Sequence, residues 1–191
     1  MLNKKRIESD SLGVKKIDSN RLWGAQTQRS LENFKIANNK MPDEIIVALG
    51  QQKKACALAN HNLKLINSRL TKAISMACDE IINLSLVDEF PLSVWQTGSG
   101  TQTNMNANEV ISNYAIKILK GKIGSKSPIH PNDHVNLSQS SNDTFPTVMH
   151  IAANELTDNK LLPALKNLIN EIKIKTKLYS KTIKIGRTHT Q

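Results

Sequence analysis

Residues 95–108 read Trp-Gln-Thr-Gly-Ser-Gly-Thr-Gln-Thr-Asn-Met-Asn-Ala-Asn. The stretch carries no charge, and two glycines flank Ser99, so the backbone there can come close to a ligand. Thr101, Gln102, Thr103, Asn104, Asn106 and Asn108 add neutral donors and acceptors. Such a composition suits a small, oxygen-rich ligand. From about 104 to 119 the pattern turns helical, with Ala107, Ile111, Tyr114 and Ile118 on one face and Gly121 as the expected terminator. A polar helix start feeding an apolar helix face sets the tone of the chain.

Working outward, most of the sequence has the same period. Pro42-Asp43-Glu44 opens a helix, with Pro at N1, carrying Ile45, Leu49, Gln52, Cys56 and Ala59 at helical spacing. Ser68 can cap a second, with Leu70, Ile74, Ala77 and Ile81. Another starts near Asn142 or Asp143 with Pro146 in its first turn. A last one, from about 159 to 181, carries Leu161, Leu165, Leu168, Ile172 and Tyr179. Residues 1–40 read as a loop-rich arm, 121–140 as a Gly/Pro/Ser/Asn loop, and Ile183-Lys184-Ile185 as a short β-like run. The expected fold class is mainly α.

The chain has 191 residues, 39% hydrophobic and 22% charged. That bounds one sizeable core, or one domain plus part of another, in a soluble globular protein. No apolar run approaches the ~20 residues of a membrane span. The basic first residues lead into Glu8 and Asp10 rather than an apolar stretch, which argues against a leader peptide. Cys56 and Cys78 sit in helical patterns and read as reduced thiols, so a cytoplasmic location is expected. The net charge of +10 invites a nucleic-acid reading. The eight basic residues from Lys160 onward have Tyr179 as their only aromatic, and no nucleic-acid fold signature accompanies them. They read as a solvated helix face.

Gly98-Ser99-Gly100-Thr101 is neither a phosphate loop nor a nucleophile elbow, because Thr97 and Thr101 stand where the elbow needs glycine. Ser140-Ser141-Asn142-Asp143 precedes a helix, where free N–H groups and the positive dipole end favour a carboxylate. One of the four suffices as a cap; the surplus of hydroxyls points to a ligand. His130 and His134 are four apart, but Pro131 would leave His130 outside any helix, and no third ligand has suitable spacing. No metal and no organic cofactor are therefore expected. His61 and His150 read as structural. His189 differs, because it follows Arg187-Thr188 in a polar segment past the last helix.

Taken in order and spacing, four segments resemble the class II fumarase family: Gly98-Ser99-Gly100-Thr101, His130-Pro131-Asn132-Asp133, Ser138-Gln139-Ser140-Ser141, and Thr188-His189. The resemblance begins at Leu22-Trp23-Gly24-Ala25-Gln26-Thr27-Gln28-Arg29-Ser30 and runs to Gln191. It implies reversible hydration of fumarate to (S)-malate in the tricarboxylic acid cycle. Ser99, Gly100, Thr101, Ser140, Ser141, Asn142 and Thr188 would bind the dicarboxylate substrate. His189 would be catalytic, activating or orienting water. His130, Pro131, Asn132 and Asp133 would form a second carboxylate site, weakened where Ser127-Pro128 replace an arginine of some relatives.

The resemblance further implies an N-terminal lyase domain over 1–139 and the start of a truncated helical bundle over 140–191. Family members are more than twice as long and act as homotetramers. Their mobile Gly-Ser-Ser loop, with the serine base, and a substrate-binding lysine lie beyond the region matched by residue 191. The chain would thus be an N-terminal part, inactive alone. The other reading is a non-catalytic remnant that at most associates with a complementary lyase fragment.

Overall fold

A computed structural model describes residues 4–187 and 189. They fall into two compact units, one ending at Ala152 and the other beginning at Ala153.

The first unit opens with a hairpin, not a loop-rich arm. Strand β1 (Lys5–Asp10) pairs antiparallel with β2 (Gly13–Asp18), Ile7 facing Lys16. Gly13 closes the turn at φ +108°, and Asp10 Oδ1 accepts from Leu12 N at 2.9 Å. The pairing escapes the eye because Lys and Asp crowd both strands, which blurs a period of two. Arg6 holds the hairpin down. It pairs with Glu8 at 2.7 Å and donates to the carbonyls of Asp18, Arg21 and Trp23.

Helix α1 (Ala25–Asn33) follows. Its N-terminus rests on a buried carboxylate from helix α4 (Thr101–Ile118). Glu109 accepts from Gly24 N at 2.8 Å, Gln26 N at 2.9 Å, Thr27 N at 3.1 Å and Thr27 Oγ1 at 2.6 Å. Free first-turn donors and the dipole make that end a natural seat for an anion. A β-carbon on Gly24 would stand 2.6 Å from Glu109 Oε1, so glycine is required there.

Helices α2 (Asp43–Asn62) and α3 (Ser68–Ile82) form an antiparallel pair against α4. Asp43 and Glu44 favour the start of α2, while Pro42 stands just outside it, one residue earlier than expected. The cap of α3 is Asn67, not Ser68: its side chain accepts from Leu70 N at 3.0 Å. The core is built from Leu49, Ile74, Ala77, Ile81, Val110, Ile111, Ile129 and Val148, among others. The buried stripe of α2 differs from the expected one. Ile46, Leu49, Gly50, Lys53, Ala57 and Asn60 are buried, whereas Gln52 and Cys56 are only half-buried and Ala59 is exposed.

α4 begins three residues before the expected position and ends with Lys120, not Gly121, in the left-handed region (φ 59°). The loop after it contains a π-helical turn, Pro131–Val135, that the loop reading missed. Helix α5 (Ser141–Leu156) starts one or two residues before the expected Asn142 or Asp143, which puts Pro146 in its second turn rather than its first. Pro146 has no N–H, so the Asn142 carbonyl lacks its usual helical partner.

In the second unit the chain stays helical through a π segment (Thr157–Leu161) and helix α6 (Leu162–Leu178). Leu161, Leu165, Leu168, Ile172 and Tyr179 are all exposed. Residues 183–185 are not a strand. Among the described residues no helix is long and apolar enough to cross a membrane.

Candidate active site

Two helix starts meet in the first unit. Gly100 precedes α4 in the left-handed conformation, φ +69°, and its backbone carbonyl accepts from Asn104 N at 3.0 Å. A β-carbon on Gly100 would lie 2.2 Å from Phe145 Cδ1, on α5. This close approach brings the first turns of α4 and α5 together. The hydroxyls then join: Ser99 Oγ lies 2.9 Å from Thr101 Oγ1, which lies 3.0 Å from Ser141 Oγ.

Gly100 offers α4 no side-chain cap, so the first-turn N–H groups of α4 are free to meet a ligand. At α5, the Ser140 carbonyl accepts from Asp143 N at 3.1 Å and Thr144 N at 2.8 Å. Ser140 Oγ makes only a long 3.4 Å contact with Asn142 N. Ser99, Ser140 and Asn142 are exposed, and Thr101 and Ser141 are partly covered. Two positive dipole ends and the three linked hydroxyls of Ser99, Thr101 and Ser141 suit a carboxylate.

The expected donors of α4 divide. Thr101 reaches the cluster, whereas Thr103, Asn104, Asn106 and Asn108 are buried. Thr103 Oγ1 accepts from Gln96 Nε2 at 2.9 Å, which anchors the loop before Ser99. Asn106 Nδ2 donates to the Glu89 carbonyl at 2.9 Å. These amides are part of the scaffold and do not line the site. Sequence alone cannot tell them apart, since Thr and Asn suit either place.

His130, Pro131, Asn132 and Asp133 form the opening of the π turn. His130 Nδ1 accepts from Asn132 N and Asp133 N at 3.2 Å each and lies 3.3 Å from Asp133 Oδ2. His134 Nδ1 in turn accepts from His130 N at 2.9 Å. Each Nδ1 is thus engaged with the backbone of the turn. Among the described residues no group of three or more His, Cys, Asp or Glu side chains is placed to hold a metal ion.

His189 belongs to the second unit and is exposed; Thr188 lies outside the described residues. Cys56 and Cys78 are free thiols, with burial pushing Cys78 up to about 12 and Cys56 upward as well.

Lys53 escaped the sequence reading. It is fully buried on α2, beneath the segment that links the π turn to α5. Its signal was present: a lysine in step with Leu49, Ala57 and Asn60, which a helical wheel places on the inner face. The Glu109 seat for α1 was missed too, because a contact between residues 24 and 109 leaves no local trace.

A family model described as Lyase matches residues 13–191. The chain is 55% identical over 186 residues to the class II fumarate hydratase of Brucella suis, covering 97% of this chain and 40% of that protein. It is 56% identical to the corresponding protein of Caulobacter vibrioides, with the same two coverages, 97% and 40%. A solved class II fumarase from Schistosoma mansoni superposes with a TM-score of 0.94 at 47% identity, over 98% of this chain and 40% of that one. The chain thus spans 40% of the length of these relatives.

Proposed function

We propose, from the premise that this chain belongs to the lyase family whose model matches residues 13–191, that it supplies the carboxylate-binding part of a class II fumarate hydratase. The reaction would be reversible hydration of fumarate to (S)-malate. The observation that carries this reading is the hydroxyl chain from Ser99 through Thr101 to Ser141, set between two helix starts.

The chemistry explains why such a site is useful. Water adds across the double bond: hydroxyl to one carbon, a proton to its neighbour. In the reverse direction that proton leaves first, and the resulting carbanion pushes negative charge onto the adjacent carboxylate. Neutral donors already in place stabilise this charge without reorganising. Ser99, Thr101, Ser140, Ser141 and Asn142, with the first-turn N–H groups, would hold that carboxylate. Gly100 lets the backbone approach. Each bond to a charged oxygen contributes ~1.5–3 kcal/mol. By the same family resemblance Thr188 would bind substrate, and His189 would orient or activate the water. His130, Pro131, Asn132 and Asp133 would make a second carboxylate site, with no metal or cofactor taking part.

On this reading residues 1–139 are an N-terminal lyase domain and 140–191 the start of a helical bundle. The full-length assembly would be a cytoplasmic homotetramer, with no nucleic-acid or membrane partner. The proton-abstracting serine and the substrate lysine would come from chain beyond the region matched here.

The test is a complementation assay. Residues 1–191 are mixed with the C-terminal part of a related fumarase, and malate formation is measured against each part alone. Activity only on mixing is expected. Activity of this chain alone would overturn the assignment of the base to the missing part. A stable but inactive complex would favour the non-catalytic reading.

A further inference from the structure

Lys53 is fully buried, and its Nζ donates to Asn136 Oδ1 and Gln139 Oε1, each at 2.9 Å. Both acceptors are neutral; no carboxylate forms an ion pair with Lys53 among the described residues. A lone cation in a core is expensive, and two carboxamide oxygens offset only part of that cost.

What the amine achieves is orientation. A protonated lysine has no acceptor, so both carboxamides must turn their oxygens toward the ammonium. Their NH2 groups are thereby aimed elsewhere. Asn136 Nδ2 donates to the Gln139 carbonyl at 3.1 Å. Gln139 Nε2 donates to the carbonyls of Val135 and Leu137 at 2.9 and 3.2 Å. Asn136 Oδ1 also accepts from Asn104 Nδ2 of α4 at 3.2 Å, and Asn60 Nδ2 of α2 holds the Leu137 carbonyl at 3.0 Å. Asn136 directly follows the turn that opens with His130, and Gln139 directly precedes Ser140. One amine therefore holds Asn136 and Gln139, two of the six residues that separate the two candidate carboxylate sites.

We propose that Lys53 is a positioning residue for the dicarboxylate site, holding Asn136 and Gln139 so that Ser140–Asn142 meets Thr101 at a fixed distance. Its role at that site rests on the proposed function, but its hold on the segment does not. Burial lowers the Lys53 ammonium to about 7, so the amine loses its charge near neutrality. A neutral amine still has two N–H groups for its two acceptors. The titratable groups coupled to it are Cys56 on its own helix and Cys78 on α3. Both thiols are pushed up and stay neutral at that pH, while Lys54 is paired with Asp79 at 2.7 Å. Asp143 of α5 acts on Cys56.

The experiment is nuclear magnetic resonance and amide exchange on the 191-residue chain and its Lys53→Met variant. In the parent, the Lys53 Cε resonance and the Ser141, Asn142 and Asp143 amides should titrate together near pH 7. In Lys53→Met that titration should vanish. The Asp143 and Thr144 amides, which donate to the Ser140 carbonyl, should exchange about tenfold faster while α3 keeps its protection. Unchanged exchange in a folded Lys53→Met, or persistence of the amide titration, would overturn the proposal. Where Lys53→Met does not fold, Gln139→Leu removes half of the tie, and unchanged exchange there overturns it equally. Neither readout uses substrate or turnover, so a failed hydratase assay leaves this result standing, and the reverse.

Discussion

Gly100 and Phe145 occupy one space: a β-carbon on the glycine would lie 2.2 Å from the Phe145 ring. The contact locks the start of α4 against the start of α5, and Gly100 itself sits at φ +69°. Gly100→Ala therefore meets two obstacles, a left-handed backbone costing roughly 1–2 kcal/mol and overpacking costing roughly 1–3 kcal/mol. The expected loss is about 2–5 kcal/mol, read as a lower midpoint in urea denaturation. Combined with Phe145→Ala, the total loss should be smaller than the sum of the two single losses, because the clash is absent from the double variant. A midpoint unchanged in Gly100→Ala would show that the two helix starts are not locked this way.

Glu109→Gln probes the seat of α1. Both carboxylate oxygens are used, Oε1 by Gln26 N and Oε2 by Gly24 N, Thr27 N and Thr27 Oγ1. An amide puts an NH2 against backbone donors whichever way it turns. The expected destabilisation is about 2–4 kcal/mol, because buried donors lose a charged partner. Thermal unfolding of the variant at or above the parent midpoint would contradict the role given to Glu109.

Lys53 also predicts the pH dependence of stability. Its folded value, about 7, lies below the ordinary 10.5, so between these values the unfolded chain binds more protons. Stability then rises as pH increases from 7 toward 10.5 and falls as pH drops toward 7. Urea midpoints across that range should climb in the parent and climb less in Lys53→Met. Equal slopes in the two would mean that Lys53 titrates at its ordinary value.

In a complemented enzyme, His189→Asn should lower kcat about 10²-fold, as expected when an acid–base participant is lost. Near-normal turnover would remove His189 from the mechanism.

The exposed row of Leu161, Leu165, Leu168 and Ile172 predicts that residues 1–191 self-associate. Light scattering should give a mass above that of a monomer, and Leu165→Lys with Leu168→Lys should shift it downward. A monomer in the parent chain would contradict this.

The sequence by itself determined what local chemistry can encode. Helix periodicity, the acidic start of α2 and the surplus of hydroxyls before α5 are readable within a few residues, and so the mainly α fold and the candidate Ser99–Thr101 and Ser140–Asn142 segments were legible. The family resemblance rested on such motifs too. Tertiary structure alone decided which of many similar polar residues meet at the candidate site. Thr101 meets Ser141 across 40 positions of chain, while Asn104 and Asn106, a few residues on, turn inward. Lys53 can be buried because Asn136 and Gln139 arrive from 83 and 86 residues away to accept its hydrogen bonds. Glu109 likewise finds its donors on α1, 82 to 85 residues distant. A buried charge depends on partners brought by folding, and sequence neighbours carry no record of them.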